Sequence, residues 1–539
     1  MPVNFKRMLF FVFPPLFIII SINQLTHNSI VLIRYLLAAS PILIVLITMI
    51  LFRIPGQYAG PIGLLTGGLV AYQAFGLSPE VLWVSQIKGL LLTLFVLAVF
   101  WPALLLYNTV NQADGIQSIA FALESLITDH SILLIVIAWA FSSMLEGLAG
   151  FGVPIAIISP MLISLGVPPV LAVSSVAIGH AWSVTFGDMG VVFQTLSSVV
   201  TVNPNDLAVD AAIMLGIACL ACGFAVAHIF KRMNRWPVVI ILALIMSFVQ
   251  YICAVNRLPA LASFSAGLSG VLGGIVISRV HFNKNHQSQP YPKLTKPLKS
   301  ALLSYGLLII LMVLITIIQP INHELGKLVW NASFPELKTL TGFITLAVTK
   351  QTYYPLLHPG TSILLVTLFS YIYNQRSQLY NSTNFLSILT ITFKSSWPAT
   401  VGILSMVGLS ELMDHTGMTL QLADVISNIF QSAFPLVSPY IGMLGAFATG
   451  SNNNSNVLFG SLQEGIALLL HISPAIIVAA QTTGGSLGSM IAPAKIIVGC
   501  STVNLQGRDG EIIRKTIPYG IMIGLVMGIV TLILINLKS

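Results

Sequence analysis

The sequence predicts an all-α polytopic membrane protein with about 12–14 transmembrane helices, and three observations predict it. Charged residues make up 7% of the 539-residue chain, against about 25% in a soluble domain. Hydrophobic residues make up 56%, and the mean hydropathy is +0.92. Nowhere do about ten residues alternate apolar and polar between turns, which argues against a transmembrane barrel.

The elements follow in order. Lys6 and Arg7 precede an apolar run, Leu9–Ile22, as in the first two regions of a signal peptide. Pro14-Pro15 interrupts that run and no small-x-small cleavage site follows, so residues 1–30 are expected to be an uncleaved first helix or an N-terminal extension. Apolar segments then stand at 30–52, 59–77, 86–107, 131–146, 153–166, 168–186, 189–201, 208–230, 237–255 and 260–278. Further along they stand at 300–319, 340–348, 361–374, 384–410, 417–434, 438–449, 456–472, 474–500 and 517–537. Several are too short to span, and some must pair as half-helices.

The polar connections orient the chain. Lys231, Arg232 and Arg235 form one basic loop, and Arg279 through Lys299 form another with no acidic residue. Two apolar segments separate these loops, so both can lie on one side, which the positive-inside rule makes cytoplasmic. The net charge of +8 therefore reflects basic loops, not nucleic-acid binding. Residues 281–299 are polar and contain three prolines, as expected of a linker. The predicted division is a first transporter half at 31–280, a cytoplasmic linker at 281–299 and a second half at 300–539.

Two polar breaks interrupt the apolar pattern. The first is Glu146-Gly-Leu-Ala-Gly-Phe-Gly-Val-Pro154, and the second is Thr449-Gly-Ser-Asn-Asn-Asn-Ser-Asn456. Glycine and proline weaken helices, and hydrocarbon does not tolerate exposed irregular backbone. Each stretch is therefore buried in protein or lines a cavity. A further break follows each one, Thr185-Phe-Gly-Asp-Met-Gly190 and Thr482-Thr-Gly-Gly-Ser-Leu-Gly488, at comparable distance. Paired interruptions in two halves point to a transporter's binding site.

Ionisable and amide side chains at these breaks are the candidates for chemistry, because polar groups in a membrane are costly. Glu146 could bind a cation or proton, or accept from the free N–H groups of its loop. Ser451, Asn452, Asn453, Asn454, Ser455 and Asn456 offer donors and acceptors without full charge. A half-helix starting there would favour a carboxylate at its N-terminus. His180 and Asp188 are spaced to share a face if one helix spans both, and such a pair suits proton relay. Lys495 could counter a carboxylate or snorkel to the interface. Glu411, Asp414 and His415 read as a solvated loop or helix end. Cys219 and Cys222 have the spacing of a redox or metal pair, but their Ala, Leu and Gly neighbours favour small buried helix residues. Neither a metal-ligand His spacing nor a phosphate-binding glycine loop occurs, so no enzyme site, metal or cofactor is expected and an ion gradient is the expected energy source.

At these residues the sequence resembles the bacterial lactate permease family. The resemblance rests on Phe141-Ser-Ser-Met-Leu-Glu-Gly-Leu-Ala-Gly-Phe-Gly-Val-Pro-Ile-Ala156, Leu165-Gly-Val-Pro-Pro169 and Phe186-Gly-Asp-Met-Gly190. In the second half it rests on residues 444–463 and on Thr483-Gly-Gly-Ser-Leu-Gly-Ser-Met-Ile-Ala-Pro493. It implies a secondary transporter of the bacterial cytoplasmic membrane that carries 2-hydroxy monocarboxylates such as lactate or glycolate with protons. It also implies inverted repeats, re-entrant hairpins at the two breaks, often a homodimer, and elevator-like movement. Some positions differ from that family's usual pattern. His180 stands for an amide, Asp188 for a small residue, the Asn452–Asn454 tip for a more acidic one, and Lys495 for a neutral residue.

The resulting expectation is a proton-coupled importer of a small 2-hydroxy monocarboxylate. Gly150, Phe151, Gly152, Ser451, Asn452, Asn453, Asn454, Asn456, Thr483, Gly484 and Lys495 would bind substrate, and Glu146, His180 and Asp188 would handle the proton. The alternative is an H+- or Na+-coupled carrier for a different organic anion.

Overall fold

The computed structural model describes residues 27–52, 54–150, 152–282, 293–380, 385–505 and 508–538. Most of the expected N-terminal extension, and residues 283–292 of the expected linker, lie outside them. Apolar runs without charge become helices because a helix satisfies its own backbone in hydrocarbon. Ten helical stretches among the described residues are long and apolar enough to cross a bilayer. The chain is a multi-pass membrane protein.

Helices α1 (His27–Ile50), α2 (Gly56–Ala74) and α3 (Pro79–Asn111) come first. Then comes the short amphipathic α4 (Gly115–Leu126). α5 (His130–Leu148) contains a π-helical turn at Val136–Phe141 and stops at the first break. α6 (Val153–Ser164), α7 (Pro169–Gly179) and α8 (Val191–Val199) are half-length. α9 (Pro204–Ile229), α10 (Trp236–Val255), α11 (Pro259–Phe282) and α12 (Lys296–Ile317) are full spans. The second half continues with α13 (Gln319–Leu325), α14 (Pro359–Arg376) and α15 (Phe385–Thr416). It repeats the earlier pattern with amphipathic α16 (Met418–Phe430), α17 (Phe434–Thr449), α18 (Asn452–Leu469), α19 (Pro474–Gly488), α20 (Pro493–Thr502) and α21 (Asp509–Lys538).

The contacts fix the direction of each half-helix. Arg235, at the basic end of α9, bonds Asp129 before α5 at 2.6 Å, so α5 enters from the basic face. α6 then leaves by that same face, running beside α20 with Ile155 against Gly499. α7 returns to the centre and α8 continues to the opposite face. There Glu464 on α18 accepts from Thr201 N at 2.9 Å, just past α8. α17 and α18 enter and leave by that opposite face, and α19 and α20 cross back. The α5–α6 and α17–α18 pairs are therefore re-entrant hairpins from opposite sides, and the two repeats are inverted. Lys231, Arg232, Arg235, Lys293, Lys296, Lys299, Arg376, Arg508, Arg514 and Lys515 all fall on the basic face along this path.

Two details differ from the sequence-based expectation. Residues 340–348 are not a membrane segment; they belong to small antiparallel ribbons outside the bundle. β1 (Trp330–Phe334) pairs with β4 (Val348–Tyr353), and β2 (Leu337–Lys338) with β3 (Ile344–Thr345). Thr341 Oγ1 donates to Phe75 O at 2.9 Å, tying this element to the end of α2. Second, Glu411 and His415 are not solvated. They lie on α15 at 3% and 4% exposure, because α15 runs on through the stretch where the apolar pattern weakens. Cys219 and Cys222 are buried, unpaired residues of α9.

Candidate functional site

The breaks of both halves meet at the centre. α6, α8, α18 and α20 all begin there and run outward, so four helix N-termini converge. Each N-terminus carries free N–H groups and about half a positive charge. The breaks also carry the required backbone conformations. Gly152, Gly190 and Gly450 take positive φ, and so do Asp188 (50°) and Met189 (54°). Such conformations are uncommon outside glycine and cluster at functional sites.

Three charges occupy this region. Lys495, near the start of α20, donates to Glu146 Oε1 at 3.1 Å. Asp188 accepts from Gly150 N–H. A Cβ at Gly150 would stand 2.6 Å from Asp188 Oδ2 and 2.7 Å from Glu146 Oε1, so only glycine lets the two carboxylates flank this backbone. His180 Nε2 lies 3.9 Å from Glu146 Oε2, while His180 Nδ1 is 2.6 Å from Val176 O. The expected His180–Asp188 face does not form, because α7 ends at Gly179 and only short 3-10 turns follow. The histidine partners Glu146 instead.

Neutral polar groups stitch the two halves together. Thr185 Oγ1 donates to Thr482 O at 3.0 Å, and Asn452 Nδ2 donates to Thr482 O at 3.1 Å and Thr185 Oγ1 at 3.3 Å. Asn456 Nδ2 donates to Thr482 Oγ1 at 2.9 Å. Ser486 Oγ donates to Ala181 O at 2.6 Å. Thr185, Thr482 and Ser486 were not singled out as candidates from sequence. Their only signal was a place inside the second pair of breaks, and a hydroxyl in an apolar helix usually bonds its own backbone.

Beside these bonds lies a cavity of about 180 Å³ lined by Asp188, Ser451, Asn452, Asn453, Lys495 and Val498, among others. It is smaller than the roughly 300–1,000 Å³ of pockets for drug-sized ligands. Asn452 Oδ1 and both amide atoms of Asn453 are buried without a partner, which is costly unless something binds there. Larger hollows of about 390 and 480 Å³ lie beside α3 and α14, and the first is also walled by Phe193, Gln194, Ser197 and Ser198 of α8.

The remaining expected site residues are placed as follows. Gly152 packs near Val498 and Lys495. Asn454 does not line the cavity; its amide nitrogen lies near Gly56 of α2. Asn456 sits behind the cavity on Thr482, and Thr483 Oγ1 is buried without a partner. Gly484 allows close packing instead, since a Cβ there would come within 1.8 Å of Pro439 O. Phe151 lies outside the described residues.

The model of the L-lactate permease family matches residues 34–538. The chain belongs to the L-lactate permease family. Within the family it is similar to the glycolate permease of Escherichia coli K12, at 26% identity over 92% of this chain and 95% of that one. It is also similar to the L-lactate permease of E. coli K12, at 23% identity over 92% and 95%. The L-lactate permease of Halalkalibacterium halodurans is 25% identical over 89% and 93%. Among solved structures, the Alcanivorax borkumensis YdaH transporter aligns with a TM-score of 0.49 and 16% identity, over 85% of this chain and 88% of that one. In this permease family member, the hairpin tip at Gly450–Asn453 lines the cavity, and Glu146 of the first hairpin reaches its wall through Lys495.

Proposed function

We propose that this chain is a secondary active transporter that imports a small 2-hydroxy monocarboxylate, lactate or glycolate, by proton symport. The observation that carries the reading is the small cavity beside the Gly450–Asn453 hairpin tip, with Lys495, Asn452 and Asn453 on its wall and four helix N-termini directed at the centre. This is a field for one carboxylate. The named relatives, a glycolate permease and L-lactate permeases, supply the cargo class.

In the proposed cycle the substrate carboxylate takes the Lys495 ammonium from Glu146 and also accepts from N–H groups at Ser451–Asn453. The 2-hydroxyl donates to Asp188. Glu146 then takes the proton. Charge balance favours this order. A bound monocarboxylate adds one negative charge to the core, which one proton cancels. His180, beside Glu146, is the route by which that proton arrives or leaves.

The same reading places the basic face in the cytoplasm of a bacterial cell, at the inner membrane. It divides the chain into two transporter halves joined by the cytoplasmic linker at 281–299. It also includes a homodimer whose core, carrying both hairpins, moves against the surrounding helices. The test is uptake into proteoliposomes of labelled lactate, glycolate and dicarboxylates, with and without a pH gradient. Lactate or glycolate should accumulate only with the interior alkaline. Preference for a dicarboxylate would overturn the cargo assignment.

A further inference from the structure

A second group of ionisable side chains lies outside the central cavity, toward the face opposite the basic loops. Lys88 on α3 holds its Nζ 2.9 Å from Glu411 Oε2 on α15. His415, one turn further on, has Nδ1 2.8 Å from Glu411 O and 3.6 Å from Glu411 Oε2. Asp414, between them on α15, is partly buried, and Ser410 Oγ lies 3.5 Å from Ser461 Oγ on α18. Tyr353, from β4, is a further titratable group that faces Glu411. These charges sit at a tight helix crossing. A Cβ at Gly89 would come within 3.2 Å of Gly408 Cα, and Gln86 Nε2 donates to Gly408 O at 3.0 Å.

An apolar crossing would hold these helices at least as well, because a buried ion pair is weak evidence for stability. Two features give the charges another use. Lys88 is 22% exposed, so the buried Glu411 is one side chain away from the surface. Ser410, next to Glu411 on α15, meets Ser461 on α18, the helix whose first turn carries Asn452 and Asn453. The cluster therefore joins the surrounding helices α3 and α15 to the hairpin that forms half of the cavity.

We propose that Glu411 is a second proton-binding carboxylate of the transport cycle, loaded from the face opposite the basic loops, with Lys88 and His415 as its positioning residues. This rests on the proton-symport reading above. When Glu411 takes a proton it becomes a neutral acid, and Lys88 loses its counter-charge. Lys88 turning away from Glu411 loosens the α3–α15 crossing beside the Ser410–Ser461 contact and frees the hairpin to move.

The test uses the full chain in proteoliposomes containing a pH-sensitive dye, with labelled lactate and glycolate. Wild type, E411Q, E411D and the charge-matched pair K88M/E411Q are compared for proton uptake, pH-driven accumulation and substrate exchange across a pH series. E411Q and K88M/E411Q should lose accumulation by about tenfold or more, as for loss of a proton-transfer group, with a flattened pH profile. Exchange should persist, and E411D should restore coupling. The double variant keeps the crossing free of an unpaired charge if E411Q alone misfolds. Wild-type proton uptake and pH profile in K88M/E411Q would overturn the proposal and leave symport standing. Wild-type protein that moves substrate without protons would overturn both.

Discussion

Lys495 reaches across the interface between the two repeats to Glu146, 3.1 Å away, and both side chains are almost fully buried. The lysine starts the last broken helix, and the glutamate ends the first arm of the first hairpin. Among the described residues the first half offers Glu146 only His180, at 3.9 Å, so the shorter contact to Lys495 closes the two repeats on each other at the site.

Removing one member of this pair leaves a buried charge uncompensated, which costs about 3–5 kcal/mol. K495M should therefore lower thermal stability in detergent sharply. K495M/E146Q should recover much of that loss without recovering substrate binding. Unfolding curves of the four proteins of this cycle measure the coupling, and additive losses would show that the two side chains do not interact.

Asp188 has φ of 50°, a conformation that asparagine tolerates about as well as aspartate. D188N should keep the fold of the break and the acceptance from Gly150 N–H. It should raise the half-saturation concentration, because the 2-hydroxyl loses its charged acceptor, while pH-driven uptake through Glu146 persists. Wild-type half-saturation for lactate and glycolate in D188N would show that Asp188 does not receive the 2-hydroxyl.

Much of the site was legible from residue type alone. A carboxylate followed by three glycines, and a run of asparagines between apolar segments, cannot be lipid-facing helix, so the tips could be located. What sequence could not give was which charges meet. Glu146 pairs with a lysine of the other half, and Asp188 takes the Gly150 N–H. Asn454 looked equivalent to Asn453, yet successive residues of α18 point about 100° apart, and of the two only Asn453 lines the cavity. Glu411 and His415 were misread because their partner Lys88 lies on a distant helix, and charges at the end of an apolar run look like a solvated end. The ribbons at 330–353 were hidden by a short apolar stretch that periodicity cannot assign.

Thr185 holds the two halves through Thr482 O and Asn452 Nδ2. T185V keeps the shape and removes both bonds, leaving buried polar groups unpaired at about 1–3 kcal/mol. The half-saturation concentration for lactate or glycolate should rise, because Asn452 loses its anchor beside the cavity. Steady-state uptake kinetics check this, and an unchanged value would place Thr185 in packing alone.

Two glycines should respond in opposite directions. In G484A the new Cβ would stand 1.8 Å from Pro439 O, so α17 and α19 must separate and folded yield should fall. At Gly68 of α2 nothing lies within 4 Å, and G68A should stabilise by about 0.5–1 kcal/mol. Size-exclusion profiles and thermal unfolding distinguish the two.

The central claim is that carboxylate capture by Lys495 is coupled to proton uptake. The most direct measurement is simultaneous recording of labelled lactate or glycolate entry and internal acidification in proteoliposomes without an imposed gradient. The account predicts that wild type acidifies the interior in step with substrate entry, with at least one proton per monocarboxylate, and that K495M shows neither signal. Substrate entry without acidification, or undiminished coupled entry in K495M, would contradict it.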